Sequence, residues 1–173
     1  MTVNYKIEMV NEAFGYDLNT FSCGEESLDI FVRQHLFRQH QRNILRGYVL
    51  ITDDEIPKIV GYYTLSGSSF ERDSLPSKSQ QKKIPYSNAP AITLGRLAID
   101  ISLQGNGYGA VLVAHAMKVV SKASDAVGIH GMFVDALNDG ARRFYRQLGF
   151  TELKSPNENS LFISTSSIKL LYP

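Results

Sequence analysis

Apolar positions along this chain change period several times, and each change marks an element. Lys6 to Val10 alternates polar and apolar residues, as a half-buried strand does. The turn Thr20-Phe21-Ser22-Cys23-Gly24 leads into Glu25 and Glu26, which put negative charge at the positive end of a helix. Leu28, Phe31, Val32, His35 and Leu36 then recur at helical spacing and predict one apolar stripe, with a second helical piece over 38–45. The runs 48–52 and 59–66 read as strands, joined into a hairpin by Asp53-Asp54-Glu55 and Pro57. Between Arg72 and Pro90 no period survives, and three prolines and three lysines predict one long loop. Ala91 to Asp100 is again strand-like. Gly107 to Ala126 predicts a helix with Leu112, Ala116, Val119 and Ala123 inward, and His130 to Leu137 a strand. Asn138 opens a short helix whose Ala141, Phe144, Tyr145 and Leu148 share one face, and Gly149 ends it. Closing strands are expected at 150–153, 161–164 and 168–171. No repeat or linker interrupts the pattern, so the expectation is one α/β domain over residues 1–173 with a mixed sheet.

Composition narrows the class. The 173 residues, 43% of them hydrophobic, suffice for a proper core. One cysteine, Cys23, excludes an internal disulfide framework and fits a reducing compartment. His35, His40, His115 and His130 show no metal-ligand spacing, so no metal site is expected. There is no apolar run of membrane-spanning length, and Met1 to Asn11 has no signal-peptide pattern. A cytoplasmic protein without a membrane partner is expected.

The candidate chemistry begins at Gln104-Gly105-Asn106-Gly107-Tyr108-Gly109, between a strand and a helix. A helix start leaves several main-chain N–H groups without partners at the positive end of the helix dipole, which suits phosphate. The three glycines let an anion approach the backbone without Cβ clashes. A Walker-type loop requires Lys and Ser or Thr after its last glycine, whereas Ala110-Val111 follows here. Gly105-x-Gly107-x-x-Ala110 formally fits a dinucleotide fingerprint. Its ribose-binding acid would be Asp135, 25 residues past Ala110, where about 20 is expected. Too little chain also remains for a doubly wound sheet and a substrate domain.

Gln-x-x-Gly-x-Gly, met by Gln104, Gly107 and Gly109, resembles the pyrophosphate-binding motif of the GNAT N-acetyltransferases, which use acetyl-CoA. The run Ala141-x-x-Phe144-Tyr145-x-x-x-Gly149-Phe150 resembles that family's closing motif, and the order of elements is the family's too. The resemblance implies a GNAT fold: a mostly antiparallel sheet splayed at the cofactor site and flanked by helices. It implies that the backbone of Leu97, Ala98 and Ile99 pairs with the pantetheine arm. It further implies that Gln104, Gly105, Asn106, Gly107, Tyr108, Gly109 and Ala110 hold the pyrophosphate through main-chain N–H groups. Asn138 is either a plain helix cap or a pantetheine contact. Tyr145 is the implied catalytic residue, its hydroxyl aimed at the cofactor sulfur. A phenol with a pKa of about 10 stays protonated at neutral pH and can supply a proton to a departing thiolate. No general base stands out; Asp135 and His130 are candidates, each also explicable as a structural strand residue. An α-amine, with a pKa of about 7.7–8.0, needs less help than a lysine at about 10.4, which points to an α-amine acceptor.

Charge indicates where that amine comes from. The chain carries a formal charge of only +1, yet its stretch 33–46 holds Arg33, Arg38, Arg42 and Arg46 with no acid. The long loop adds Lys78, Lys82 and Lys83, and Arg142, Arg143 and Arg146 flank Tyr145. Clustered basic residues without balancing acids mark a polyanion partner. The segments 21–28 (FSCGEESL), 60–65 (VGYYTL), 75–79 (LPSKS) and 94–100 (LGRLAID) resemble the acetyltransferase toxins of type II toxin–antitoxin modules. That resemblance implies acetylation of the α-amine on aminoacyl-tRNA and arrest of translation. It also implies a ribbon-helix-helix antitoxin that binds operator DNA, and a possible homodimer. The arginines and lysines named above, Arg146 excepted, are then the implied tRNA contacts. Acetylation of a protein N-terminus or a small amine, and a non-catalytic coenzyme A sensor, are the alternative readings.

Overall fold

The computed structural model describes residues 3–11, 13, 15–154 and 159–173. Its strands form a seven-stranded sheet in the order β1-β2-β3-β4-β5-β7-β6. The chain folds as two compact units, Met1–Ser66 with Gly95–His115, and Gly67–Leu94 with Ala116–Pro173.

The first unit contains β1 (Tyr5–Met9), α1 (Glu26–Gln34), α2 (Leu36–Gln41), β2 (Arg46–Thr52) and the start of β3 (Ile59–Glu71). It also holds the end of β4 (Asn88–Ile99) and the start of α4 (Tyr108–Ala123). β1 pairs antiparallel with β2, and β2 with β3, with a register shift between Leu50 and Ile51. The expected acidic hairpin turn is present: the Thr52 hydroxyl donates to Asp54 and accepts from the Lys58 N–H. β2 is buried along almost its whole length, as a continuous apolar run predicts for a strand covered on both faces. One core gathers Phe31, Val32 and Leu36 against Val49, Ile51, Tyr62 and Ala98. Phe31, Val32, Leu36, Val49 and Ile51 each contribute roughly 1.5–3 kcal/mol on burial.

The helical stretch differs from the sequence expectation. α1 stops at Gln34, and the second helix ends at Gln41 rather than continuing to Leu45. Asn43 adopts a left-handed φ of 61°. The Asn43 N–H then reaches His40 O and the Ile44 N–H reaches Gln39 O, the paired bonds of a Schellman stop.

The second unit holds the end of β3, α3 (Lys78–Lys82), the start of β4, the end of α4 and β5 (Gly131–Asp135). α5 (Asp139–Gln147), β6 (Thr151–Glu152), β7 (Ser160–Ser164) and α6 (Thr165–Leu171) complete it. β5 and β6 both run antiparallel to β7. β4 and β5 are parallel, joined only through Ala91↔Gly131, Ile92↔Met132 and Thr93↔Phe133, while β4 continues to Ile99. Gly131 is obligatory there, because a Cβ would collide with the Phe162 ring and the Ile163 carbonyl.

Three expectations are corrected here. The loop over 72–90 contains a 3-10 turn at Arg72–Ser74 and the helix α3, capped by Ser77, whose hydroxyl accepts the Gln80 N–H at 3.1 Å. Residues 168–171 form part of α6, not a strand. A strand would put Ile168 and Leu170 on one face, yet Ile168 is fully buried and Leu170 is 84% exposed. The buried row of α4 is Leu112, Val113, Ala116, Met117 and Val120, while Val119 and Ala123 are only half-buried. Among the described residues no helix is long and apolar enough to cross a membrane.

Candidate functional site

The glycine turn forms a row of free donors. After β4 the chain makes a 3-10 turn at Ile101–Leu103 and passes through Gly105 (φ 80°) and Gly107 (φ 85°) into α4. The left-handed conformation at these two positions is costly for any residue with a Cβ, which explains the glycines. The Asn106 amide donates to the carbonyls of Leu103 and Gln104, holding those acceptors on one side of the turn. Among the described residues, the main-chain N–H groups of 105–110 have no acceptor. Nothing lies within 4 Å of a Cβ built on Gly105 or Gly107. Six N–H groups leading into a 16-residue helix are thus left without partners at its positive end.

The Gln104 side chain is used inside the protein. Its Nε2 donates to Cys23 O at 2.7 Å and to Ile99 O at 2.9 Å. This amide fastens the segment before α1 to the end of β4. The Gln104 N–H also donates to Ile101 O at 3.3 Å, so Gln104 shapes the turn, and the unpaired donors are those of 105–110. Asp100 tightens the same junction: it accepts from Ser22 N–H (2.9 Å), Ser102 N–H (3.0 Å) and the Ser102 hydroxyl (2.6 Å). The Ile101 N–H returns a bond to Ser22 O at 2.8 Å. Asp100 went unread in the sequence, although it ends the strand that feeds the glycine turn. Replacing Gln104 by Leu leaves two carbonyls unpaired, and the expected cost is about 1–3 kcal/mol. A urea unfolding midpoint equal to that of the wild type would show that the latch carries no stability.

Asp100 also gives the fold an acid sensitivity. Partial burial alone pushes its carboxyl up, but the bonds from Ser102 and Ser22 outweigh burial and hold it below the usual carboxylate range. A pKa lowered by folding stabilises the protein fully above the unfolded value, near pH 4, and that contribution disappears as pH falls toward the folded value. Asp100→Asn is therefore expected to flatten the loss of Tm between about pH 5 and pH 2. Parallel Tm-versus-pH curves for the two proteins would contradict this.

Leu97, Ala98 and Ile99 form the end of β4 in the first unit. The Ile99 carbonyl is occupied by Gln104, and Ala98 and Ile99 are buried. In the second unit, Asn138 is a helix cap, with Oδ1 accepting the Ala141 N–H at 2.9 Å. Tyr145 is 6% exposed, with ring centroids of Phe144 and Phe150 at 5.1 and 5.3 Å. Its hydroxyl makes no hydrogen bond among the described residues, and burial raises its pKa, so it remains protonated. Of the two base candidates, Asp135 accepts a 2.6 Å bond from the Ser160 hydroxyl. His130 stacks on Phe162, and burial, with Lys83 nearby, lowers its pKa.

The basic residues separate into committed and available groups. Arg33 donates to Phe21 O. Arg46 lies on β2 and donates to His40 O (3.0 Å) and Asn43 Oδ1 (2.6 Å). Arg142 is shared by Asp139 (3.2 Å) and Glu152 (3.6 Å). Arg38 donates, among the described residues, only to Gln34 O at 3.2 Å. Arg42, Lys78, Lys82, Lys83 and Arg143 are exposed and make no ion pair among the described residues. Lys78 and Lys82 share α3, a helix the sequence reading had taken for loop. No group of three or more His, Cys, Asp or Glu side chains able to hold a metal occurs among the described residues.

Comparison with known proteins shows the family. A family model described as "Acetyltransferase (GNAT) family" matches residues 13–150. The chain belongs to the GNAT acetyltransferases. This GNAT protein is 34% identical over 134 residues to a tRNA-acetylating toxin of Mycobacterium tuberculosis (strain ATCC 25618 / H37Rv), covering 78% of each chain. It matches the crystal structure of the Y145F mutant of KacT with TM-score 0.94 and 58% identity, over 97% of this chain and 99% of that one. It matches AtaT complexed with acetyl-methionyl-tRNAfMet with TM-score 0.94 and 57% identity, over 98% and 100% of the two chains. AtaT bound to the C-terminus of its antitoxin AtaR and acetyl-CoA matches at TM-score 0.86 and 50% identity, over 97% and 98%. The AtaT–AtaR complex bound to DNA matches at 0.80 and 50%, over 97% and 99%.

Proposed function

We propose that this protein is a toxin N-acetyltransferase that moves the acetyl group of acetyl-CoA onto the α-amino group of the amino acid carried by tRNA, and so blocks translation. The observation that carries this reading is the near full-length similarity to AtaT, a protein captured with acetyl-methionyl-tRNAfMet. The glycine turn adds an independent physical argument: six unpaired N–H groups at a helix start, with open space at Gly105 and Gly107, fit a pyrophosphate.

Acetyl-CoA supplies an activated acetyl thioester. Gly105, Asn106, Gly107, Tyr108, Gly109 and Ala110 hold the pyrophosphate by main-chain N–H donation. Gln104, whose own N–H donates to Ile101 O, fastens the turn instead, and the Leu97–Ile99 backbone and Asn138 bind the pantetheine. The Tyr145 hydroxyl keeps its proton at working pH and gives it to the sulfur as the C–S bond breaks. The α-amine, largely neutral near physiological pH, attacks the thioester carbonyl without a strong base on the protein, forming the C–N bond as the C–S bond breaks, and the proton it releases passes through solvent to restore the Tyr145 phenol. Arg38, Arg42, Lys78, Lys82, Lys83 and Arg143 contact tRNA phosphates, with Arg33, Arg46 and Arg142 beside them and partly engaged within the fold. Residues 1–173 act as one acetyltransferase domain in the cytoplasm, as a homodimer. They are neutralised by a ribbon-helix-helix antitoxin that carries the complex to operator DNA.

The test is an in vitro translation reaction with purified protein, with and without acetyl-CoA. Arrest that requires acetyl-CoA and leaves N-acetylated aminoacyl-tRNA is expected. Normal translation, with every aminoacyl-tRNA unmodified, would redirect the search to a protein N-terminus or a small amine.

A further inference from the structure

One arginine, Arg96, enters the sequence reading only as part of the segment 94–100, without a role of its own, and its setting differs from that of every basic residue discussed above. It lies on β4 immediately before Leu97, Ala98 and Ile99, and is half-buried. Its Cζ sits 3.6 Å from the centroid of the Phe31 ring. Phe31 is itself buried and stacks on Tyr62 at 6.3 Å and 19°, and the Tyr62 hydroxyl is anchored on Leu28 O at 2.7 Å. The backbone under the arginine is fixed as well, since its N–H donates to Thr64 Oγ1 at 3.1 Å. The guanidinium therefore rests on a rigid aromatic platform. Yet among the described residues it has no hydrogen-bond acceptor and no carboxylate. The acid on α1 that flanks the platform, Asp29, accepts from the Cys23 N–H at 2.9 Å.

A stacked guanidinium is held by its face, and its donors lie along its edge. Stacking on Phe31 thus fixes the plane while leaving the fork unused, a pre-organised arrangement for bidentate contact with an oxyanion. If Arg96 only covered the edge of the core, a charge there would bring no benefit over an apolar side chain. Resting on the tRNA-acetylating reading, we infer that Arg96 binds a backbone phosphate at the 3′ end of the aminoacyl-tRNA, next to the reacting ester. The acceptor chemistry selects phosphate over carboxylate, because the amino acid's own carboxyl is esterified and carries no charge. The position on the strand is also apt. The side chain starts one residue before the backbone assigned to the pantetheine.

The test compares wild type with Arg96→Gln on methionyl-tRNAfMet and on 2′(3′)-O-methionyl-adenosine, which carries the same ester without a phosphate. Arg96→Gln is expected to lower kcat/KM for the tRNA by about ten- to a hundredfold. The phosphate-free ester and the KM for acetyl-CoA should be unaffected. The slope of log(kcat/KM) against log salt should fall by about 0.7–0.9, the contribution of one phosphate contact. Equal losses on both substrates, or an unchanged salt slope, would overturn the assignment and leave Arg96 as a packing residue. If Arg96→Gln does not fold, Arg96→Lys serves instead. It keeps the charge and the salt slope but loses the fork, so kcat/KM for tRNA should drop severalfold, and no drop would overturn the inference. A wild-type enzyme that acetylates no aminoacyl-tRNA would reject the functional reading itself, whereas an active wild type with an unaffected Arg96→Gln rejects only the role of Arg96.

Discussion

Tyr145→Phe should lower kcat for acetyl transfer by about 10²–10⁴-fold, the range for loss of a positioned proton donor, with little change in acetyl-CoA affinity. The ring belongs to the apolar face of α5, against Phe144 and Phe150, and phenylalanine fills the same space. The lost hydroxyl has no hydrogen-bond partner among the described residues, so its removal strands no buried group and Tm should hardly move. Burial keeps the phenol protonated, so the wild-type rate should show no loss of the donor across the physiological range or up to the usual tyrosine range near 10. Single-turnover acetylation beside calorimetric binding of acetyl-CoA separates the two effects. A variant with wild-type kcat would remove Tyr145 from the chemistry and leave it as a core aromatic.

The second large effect is expected at the turn. Gly107→Val places a β-branched residue at φ 85°, where even an unbranched L-residue is strained by roughly 1–2 kcal/mol. No atom lies within 4 Å of the new Cβ, so the cost is conformational rather than steric. The cheapest relief is rotation of the turn, which redirects the N–H row of 105–110. Acetyl-CoA affinity should weaken by about ten- to a hundredfold, in line with tenfold per 1.4 kcal/mol. Circular dichroism should remain that of the folded protein. Titration calorimetry giving an unchanged Kd would mean that the pyrophosphate is not held by this backbone.

Much of this was legible before any coordinates. The hairpin around Asp53–Pro57, the strand leading to residue 99, the helix after the glycine turn and the cap at Asn138 rest on local signals that tertiary packing did not override. The errors were equally local. Asn43 ended a helix because its left-handed bonds to His40 and Gln39 outweighed the helical spacing around it. The α3 helix escaped notice because five residues show no full period, though Ser77 and Gln80 signalled its cap. Residues 168–171 looked like a strand by composition, and only the burial of Ile168 beside an exposed Leu170 reveals the helical period.

The amino-acid sequence by itself determined the chemistry on offer: a glycine turn poised for phosphate, a tyrosine in an apolar helix face, and clusters of basic residues with no matching acids. Those properties follow from residue type and spacing, which folding does not alter. Which of these groups are free depends on the folded chain, because near and remote acceptors that residue type does not reveal compete for the same donors. Gln104 is consumed by Cys23 and Ile99, Arg142 by Asp139 and Glu152, and Arg46 by His40 and Asn43. Arg96, given no role by the sequence, is left with an open fork because the packing of α1 sets Phe31 beneath it and, among the described residues, no acid pairs with it.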